Sequence, residues 1–290
     1  MTTRLAPGTR LILLAVPIVV LLGVIGLVLA WRNYQSERDQ VIDESRLLAV
    51  SAAADANRFL RGEIALLEAV AASPTMRGPS QAAIEVYLQE LVAAQPQMLE
   101  ISWIDLGGFI RATAPATEAE SSPSVSDQEY FRVVTRQETP YVSTAKSGNP
   151  ADQAAVTVAV PTRDTGGALT GLIGARIRLN LLEEALNTFR PRGASSLSIV
   201  DRANRLIVST DGPSDFRDLS ASTLLHQSRV LDNGVKAGIN GLEGSSERIV
   251  SFASAPTGGW MVFVERPAND AFSRARQTLI AEVVALTVVV

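Results

Sequence analysis

No cysteine occurs in the 290 residues, and histidine occurs once, as His226. The first absence excludes disulfides, thiolate metal sites and cysteine nucleophiles, and it fits a compartment where free thiols are a liability, such as the bacterial periplasm or the cell exterior. The second excludes a multi-histidine metal centre, and His226, alone on the partly apolar helical stretch STLLHQS, reads as structural. Lys and Arg form no long run and the formal net charge is -4, which leaves no electrostatic footprint for nucleic acid. Catalytic signatures are missing too. No Gly-x-Ser-x-Gly elbow accompanies His226, and GLEG and GGALTG lack the Lys-Ser/Thr of a phosphate loop. Asp and Glu are scattered without a repeated spacing, so paired-carboxylate hydrolysis has no support. The expectation is a region that is not an enzyme and holds neither metal nor cofactor.

Apolar sequence, by contrast, is concentrated at both ends. Residues 11–31, LILLAVPIVVLLGVIGLVLAW, carry no charge, and as a helix they match a hydrocarbon core of about 30 Å, with Trp31 at an interfacial position. The run is longer than a signal peptide's and has no small-residue cleavage site, so an uncleaved transmembrane anchor is expected. Residues 1–10 are then a cytoplasmic amino terminus, although Arg4 and Arg10 before the span are balanced by Arg32 and Arg38 after it. At the other end TLIAEVVALTVVV, residues 278–290, is too short to span, and 275–290 is expected to be the start of a second, truncated transmembrane helix. The region between would be one extramembrane module.

Within that module, Leu48, Ala52, Phe59, Leu60, Ile64, Leu67 and Ala71 recur at three- and four-residue steps, which predicts a stalk helix over 33–75, a rod of roughly 60 Å. Pro74 and Gly78-Pro79 end it, and Ser80 is a candidate N-cap for a second helix, SQAAIEVYLQELVAAQ. Beyond Pro96 the period changes. MLEISWIDLGGFIRATAP and AAVTVAVPTRDTGGALTGLIGARIRL each predict two strands about a turn, with a short helix between the pairs that Asp127 could cap and that ends before Pro140. NLLEEALNTFR predicts a helix leaving the sheet. The order then repeats: a hairpin in SSLSIVDRANRLIVST, a helix in LSASTLLHQSRV, and strands through GVKAGINGLEGSSERIVSFASAPTGGWMVFVERP. ISWIDLGGFIRAT and LSIVDRANRLIVST open the two halves alike, which predicts an α+β fold of two tandem antiparallel sheets with flanking helices.

WIDLGGFI, DQEYF, PYVS, VAVPTRDTGGALTGLIGARIRLNLLEEAL, LSIVDRANRLIVS and GGWMVFVERPANDAF, in that order behind a long helix, resemble the double-Cache sensor domain over about 33–275. The resemblance implies two PAS-like subdomains, a membrane-distal one over 76–190 that usually holds the ligand and a membrane-proximal one over 191–270. It also implies a homodimer through the long helix in the cell (inner) membrane, with 33–275 extracytoplasmic. Such domains precede a sensor histidine kinase, diguanylate cyclase or chemotaxis module; none of these outputs is present in the sequence.

In the amino-acid-binding branch of that family an Arg-x-Trp-Tyr element on the helix binds the ligand carboxylate, and an Asp on the last distal strand binds its amine. The matching positions here are Gln128-Glu129-Tyr130-Phe131 and Arg176. Gln in place of Arg and Arg in place of Asp argue against α-amino-acid recognition. A guanidinium facing the pocket favours carboxylate or phosphate, so an organic acid is expected if Arg176 points inward. Alternation leaves its direction open: Gly174, Arg176 and Arg178 share one face, so Arg176 either lines a pocket, faces solvent or pairs with Glu129. Tyr130 and Tyr141 offer a ring and a hydroxyl each and suit ligand wall or core equally; Ser143 follows Tyr141 in PYVS. Trp103 and Arg111 lie on neighbouring predicted strands, and Phe131 and Trp260 read as packing. The expected ligand-binding set is Trp103, Arg111, Gln128, Tyr130, Tyr141, Ser143 and Arg176. The competing reading is a membrane-anchored adhesion or partner-binding ectodomain with no small ligand.

Overall fold

The computed structural model describes residues 7–78, 80–115, 124–147, 154–187, 196–211, 216–242 and 247–289, with side chains except those of 7–20, Leu22, Ser147, Ala154, Ala185, Asn187 and 285–289. One helix, α1 (Pro7–Ala71), runs without a break through the expected anchor and stalk. Its buried stripe is largely alanine, with Ala49, Ala52, Ala53 and Ala56 leading into Leu60 and Leu67. Such short side chains let a helix axis come close to a sheet, and α1 packs on both sheets of the molecule. The rod is longer than the sequence period suggested, because nothing at Trp31–Asn33 interrupts the backbone hydrogen bonds. Most of the predicted span 11–31 falls on side chains outside the described ones; among the described residues no helix is long and apolar enough to cross a membrane.

After α1 come α2 (Pro74–Arg77), capped by the Ser73 hydroxyl, and α3 (Gln81–Ala94), where Ser80 accepts from the Ala83 N–H as predicted. The first sheet is built from β1 (Met98–Asp105), β2 (Ile110–Ala114), β3 (Tyr141–Val142), β4 (Lys146–Ser147), β5 (Ala154–Arg163) and β6 (Leu169–Arg178), with α4 (Glu129–Gln137) between β2 and β3. Helix α5 (Asn180–Asn187) follows it. The second sheet comprises β7 (Ser196–Val200), β8 (Leu206–Ser209), β9 (Asn233–Asn240), β10 (Glu247–Ala255) and β11 (Trp260–Pro267), with α6 (Thr223–Leu231) between β8 and β9. Helices α7 (Ala268–Ala271) and α8 (Ser273–Val289) close the described chain, α8 lying along α1, where Asn33 donates to Glu282 at 3.2 Å.

The strand orders are β2-β1-β6-β5-β3, with β4 also on β5, and β8-β7-β11-β10-β9, the same permutation twice. Helix α1 covers one face of each sheet; α4 covers the opposite face of the first, α6 that of the second. The internal repeat read from the sequence is therefore a repeat of fold.

Three hairpins use one turn. In each, an aspartate is the last residue of a strand or the one just after it, and its Oδ1 accepts two backbone N–H groups: Asp105 from Gly107 (2.9 Å) and Phe109 (3.0 Å), Asp164 from Gly166 (2.8 Å) and Ala168 (2.9 Å), Asp201 from Ala203 (2.8 Å) and Arg205 (2.9 Å). The residue three places on has positive φ, 82° at Gly108, 85° at Gly167 and 63° at Asn204. Asn is among the few residues other than Gly that adopt this region cheaply, so Asp-x-x-Gly/Asn is the turn's signature.

Within the contact of α1 with the first sheet lies a buried carboxylate, Glu63. Gln97 donates to its Oε1 at 3.2 Å, while Oε2 is buried with no hydrogen-bond partner. Burial raises the Glu63 pKa above the ordinary carboxylate value, against the lowering by Gln97. The folded state thus binds the proton more tightly than the unfolded chain, and stability falls as pH rises from the ordinary carboxylate pKa through the raised one. Glu63→Gln is expected to raise Tm by about 2–4 °C near pH 7. The gain should vanish below the ordinary carboxylate range; thermal denaturation at both pH values checks it, and an unchanged or lower Tm at neutral pH refutes it.

Candidate functional site

The α4 face of the first sheet carries a small apolar cluster of Ile104, Phe131, Val134, Ala159 and Leu172, against which Tyr130 and Tyr141 pack half-buried. Phe131 is core, as read from the sequence. The N-cap of helix α4 is Gln128, whose side chain makes no cap hydrogen bond; Asp127, the predicted cap, instead accepts from the Gln128 amide at 3.3 Å. With its oxygen Gln128 accepts from Lys146 Nζ at 3.0 Å, tying the helix start to β4.

Beneath α4, side chains from neighbouring strands align in rows. Ser102, Gly174 and Ala159 stand in register on β1, β6 and β5, with Tyr141 opposite Ala159 on β3. A Cβ on Gly174 would lie 3.8 Å from the Tyr130 ring, so Tyr130 covers Gly174 from above. The next row holds Glu100, Arg176 and Thr157. Ile173, Ala175 and Ile177 point the other way into the α1 core, which settles what alternation left open. Arg176 is on the α4 face with its side chain 40% exposed, and its partner is Glu100 at 3.2 Å, not Glu129. Ser102 links this pair to Thr113 by hydroxyl contacts of 3.3 Å to Glu100 and 3.0 Å to Thr113.

Both phenols are held protonated. The Tyr130 pKa is pushed up to about 12 by burial and by the Glu100 and Asp127 carboxylates. That of Tyr141 is also about 12, through burial and the nearby Glu129 carboxylate, opposed by Arg202. Glu129 acts on Tyr141 through proximity, since no atom meets hydrogen-bond geometry at the buried Tyr141 hydroxyl.

Of the seven expected residues, Gln128, Tyr130, Tyr141 and Arg176 come together around α4. Trp103 does not: it lies on the opposite face, packed against the α1 core with Ile101, because it shares the phase of the residues that meet α1 and α3. Arg111 is also elsewhere. The β1–β2 register skips it, with Trp103 opposite Ala112 and Ile104 opposite Ile110. This bulge turns its guanidinium toward Asp105 (2.5 Å) and the Phe109 ring at the hairpin end. Burial opposes the outcome, but the Phe109 and Gly107 N–H groups and Arg111 together hold the Asp105 carboxyl below its ordinary pKa. Ser143 is buried with its hydroxyl already committed, donating to the Thr144 carbonyl (2.8 Å) and accepting the Thr157 N–H (2.9 Å). Ser102, Glu100, Ala159, Thr157 and Gly174 were not expected.

The second sheet provides an internal comparison. Aligned on Asp105 and Asp201, Ser102 corresponds to Ser198, whose row continues to Phe263 on β11 and Phe252 on β10. Those two rings, 6.2 Å apart, fill the α6 face together with Leu225 and Met261. Where the second sheet carries two phenylalanines, the first carries Gly174 and Ala159.

A family model described as Cache domain matches residues 33–275. The chain belongs to the Cache-domain family, in its double form. No curated protein matches it. Solved structures similar to this Cache domain share its fold at low identity. The ligand-binding domain of the Pseudomonas aeruginosa amino-acid chemoreceptor PctC, in complex with GABA, is 18% identical with a TM-score of 0.61, over 75% of this chain and 96% of that one. The ligand-binding domain of the Pseudomonas fluorescens chemoreceptor CtaA, in complex with L-isoleucine, is 17% identical with a TM-score of 0.63, over 83% and 98%. The extracellular domain of a protein assigned as a histidine kinase is 19% identical with a TM-score of 0.66, over 80% and 96%. The Cache domain's two sheets are the two PAS-like units that the resemblance implied.

Proposed function

We propose that this Cache domain is the extracytoplasmic ligand-sensing input of a membrane-bound signalling receptor, and that a small carboxylate-bearing molecule binds between α4 and the first, membrane-distal sheet. The observation that carries the site is the size contrast between equivalent rows: Ser102–Gly174–Ala159 presents only small residues to α4, with the Tyr130 ring over Gly174, whereas Ser198–Phe263–Phe252 fills the space under α6. The preference for an organic acid rests on Arg176, half-exposed on that face, and on two protonated phenols, of which the Tyr141 hydroxyl has no hydrogen-bond partner among the described residues. Glu100 beside Arg176 supports a second reading, an amino acid whose carboxylate meets Arg176 and whose ammonium meets Glu100. In either case the region itself is non-catalytic.

Membrane anchoring is supported by the apolar surface of α1, where Leu21, Val24, Ile25, Leu27, Val28, Leu29 and Trp31 are all exposed. A dimer seam along α1 is supported by Leu47 (68% exposed) and Val50 (42%) on its surface away from the sheets. Binding would act on a downstream histidine kinase, cyclase or chemotaxis module only by favouring one packing of the first sheet on α1 over another.

Thermal-shift screening of residues 33–275 against organic acids, amino acids, amines and sugars tests the proposal. Stabilisation by organic acids that is lost in Arg176→Ala is the expected result, with affinity reduced at least about tenfold. Stabilisation by amino acids, lost in both Arg176→Ala and Glu100→Gln, selects the second reading. Stabilisation by amino acids alone, unaffected by Arg176→Ala, refutes the role given to Arg176. No response across the panel favours the adhesion or partner-binding alternative.

A further inference from the structure

The β7–β8 turn does more than its two counterparts. Asp201 is fully buried, and while its Oδ1 closes the turn, its Oδ2 crosses to the first sheet and accepts the Ala145 N–H at 3.1 Å. Arg202 crosses beside it. Its guanidinium donates to the Val142 carbonyl (2.5 Å) and to the Gly258 carbonyl (3.3 Å), and it lies over the Tyr141 ring, 4.5 Å from the centroid. Strand β3 is only Tyr141–Val142, paired to β5 through Ala159 and Val158. A two-residue strand has little hold of its own. What fixes it is this clamp: one bond to its carbonyl, one to the Ala145 N–H just beyond it, and a cation on its aromatic face.

The clamp is itself braced. Arg229 of α6 donates to the Asp201 carbonyl (2.5 Å) and the Gly259 carbonyl (3.3 Å), and the Thr257 N–H donates to Asn57 of α1 at 3.0 Å. A Cβ on Gly258 would lie 2.7 Å from Leu60 of α1, so this turn sits hard against the rod. The first sheet's edge, the β7–β8 and β10–β11 turns of the second sheet and α1 therefore meet at one joint.

We infer that Arg202 is a positioning residue for the α4 site: from the second sheet it holds the Tyr141 wall of the first. This rests on the reading of the α4 face as the ligand site. A ligand that moves Tyr141 must also move Arg202, and through Gly258 and Thr257 it reaches α1; the same coupling runs in reverse.

Amide hydrogen exchange on the full chain, purified in detergent, tests this with Arg202→Gln and Arg202→Lys. In Arg202→Gln, exchange at 141–145 is expected to rise about tenfold while 98–105 stays protected, and Arg202→Lys, which keeps a cation over the ring, should recover part of the protection. The Tm losses of Arg202→Gln and Tyr141→Leu should also be non-additive in the double variant. Increases confined to 196–209, or spread evenly over the chain, together with additive Tm losses, overturn the inference. A second arm titrates succinate: if it binds the wild type, affinity should fall about tenfold in Arg202→Gln. Failure of succinate and the wider panel to bind the wild type counts against the ligand reading alone, and the exchange result still decides the role of Arg202.

Discussion

Gly171→Ala should destabilise the protein by about 3 kcal/mol or more, lowering Tm by roughly 6–12 °C for a domain of this size. Gly171 lies on β6 between Asp105 of β1 and Thr162 of β5, inside the sheet. A Cβ there would stand 2.1 Å from the Ile104 carbonyl oxygen, 3.1 Å from its carbon and 3.2 Å from Asp105 Cα. Those atoms are backbone, in the strand that leads into the Asp105 turn, so no rotamer change relieves the clash. The β1–β6 ladder must open or shift. Gly167→Ala is the control: its φ is 85° but no atom lies within 4 Å of an added Cβ, and only the left-handed conformation is penalised, about 1 kcal/mol. Thermal melts of the two variants decide the matter, and a Gly171→Ala melt within a degree or two of wild type would show that the sheet does not close as described.

Gly174→Phe should abolish ligand binding, with affinity falling at least about 100-fold, equivalent to about 3 kcal/mol. The substitution copies into the first sheet the residue that the second carries at Phe263, in the row that begins at Ser102 and Ser198. The added ring meets Tyr130, which lies 3.8 Å from where its Cβ would be, and overpacking of this kind costs about 1–3 kcal/mol of stability. Adding Tyr130→Ala removes the obstructing ring. The double variant should therefore recover stability, which traces the loss to the crowded ring; binding is compared in folded Gly174→Phe, since Tyr130 belongs to the proposed ligand wall. Calorimetric titration with a responding carboxylate is the measurement, and wild-type affinity in a folded Gly174→Phe would rule out a ligand over this row.

Much of the fold is legible because its signals are local. The three turns announce themselves by an Asp and a Gly or Asn three places later, and Ser80 marks the start of α3 by its own chemistry. The shared openings around Asp105 and Asp201 disclose the repeat, and aligning them would also have paired Ser102 with Ser198. What the sequence hides is non-local. Period two assigns Arg176 to one of two faces but cannot say which face meets α1; the apolar Ile173, Ala175 and Ile177 decide it only once α1 is in place. Arg111 is displaced by a bulge in β2 that no residue pattern marks. Strand β3, two residues long, is shorter than any period, and its clamp comes from Arg202, some sixty positions later in the chain. Gln128 takes the cap position from Asp127 although aspartate is the better cap, since the helix phase is set by Phe131 and Val134 under the sheet.

The continuity of α1 has a mechanical meaning. A helix of 65 residues is about 98 Å long at 1.5 Å per residue, and it passes Gly62 and the stretch around Gly23 without a hinge. A rod of that length is a lever: the stretch from Ala49, where its buried stripe begins, to Pro7 is about 63 Å, and a tilt of about 2° at the sheets moves that far end by roughly 2 Å, the scale of the helix shifts that separate alternative states of a packed interface. A side-chain displacement too small to alter the sheet could therefore arrive at the other end as a change of packing register.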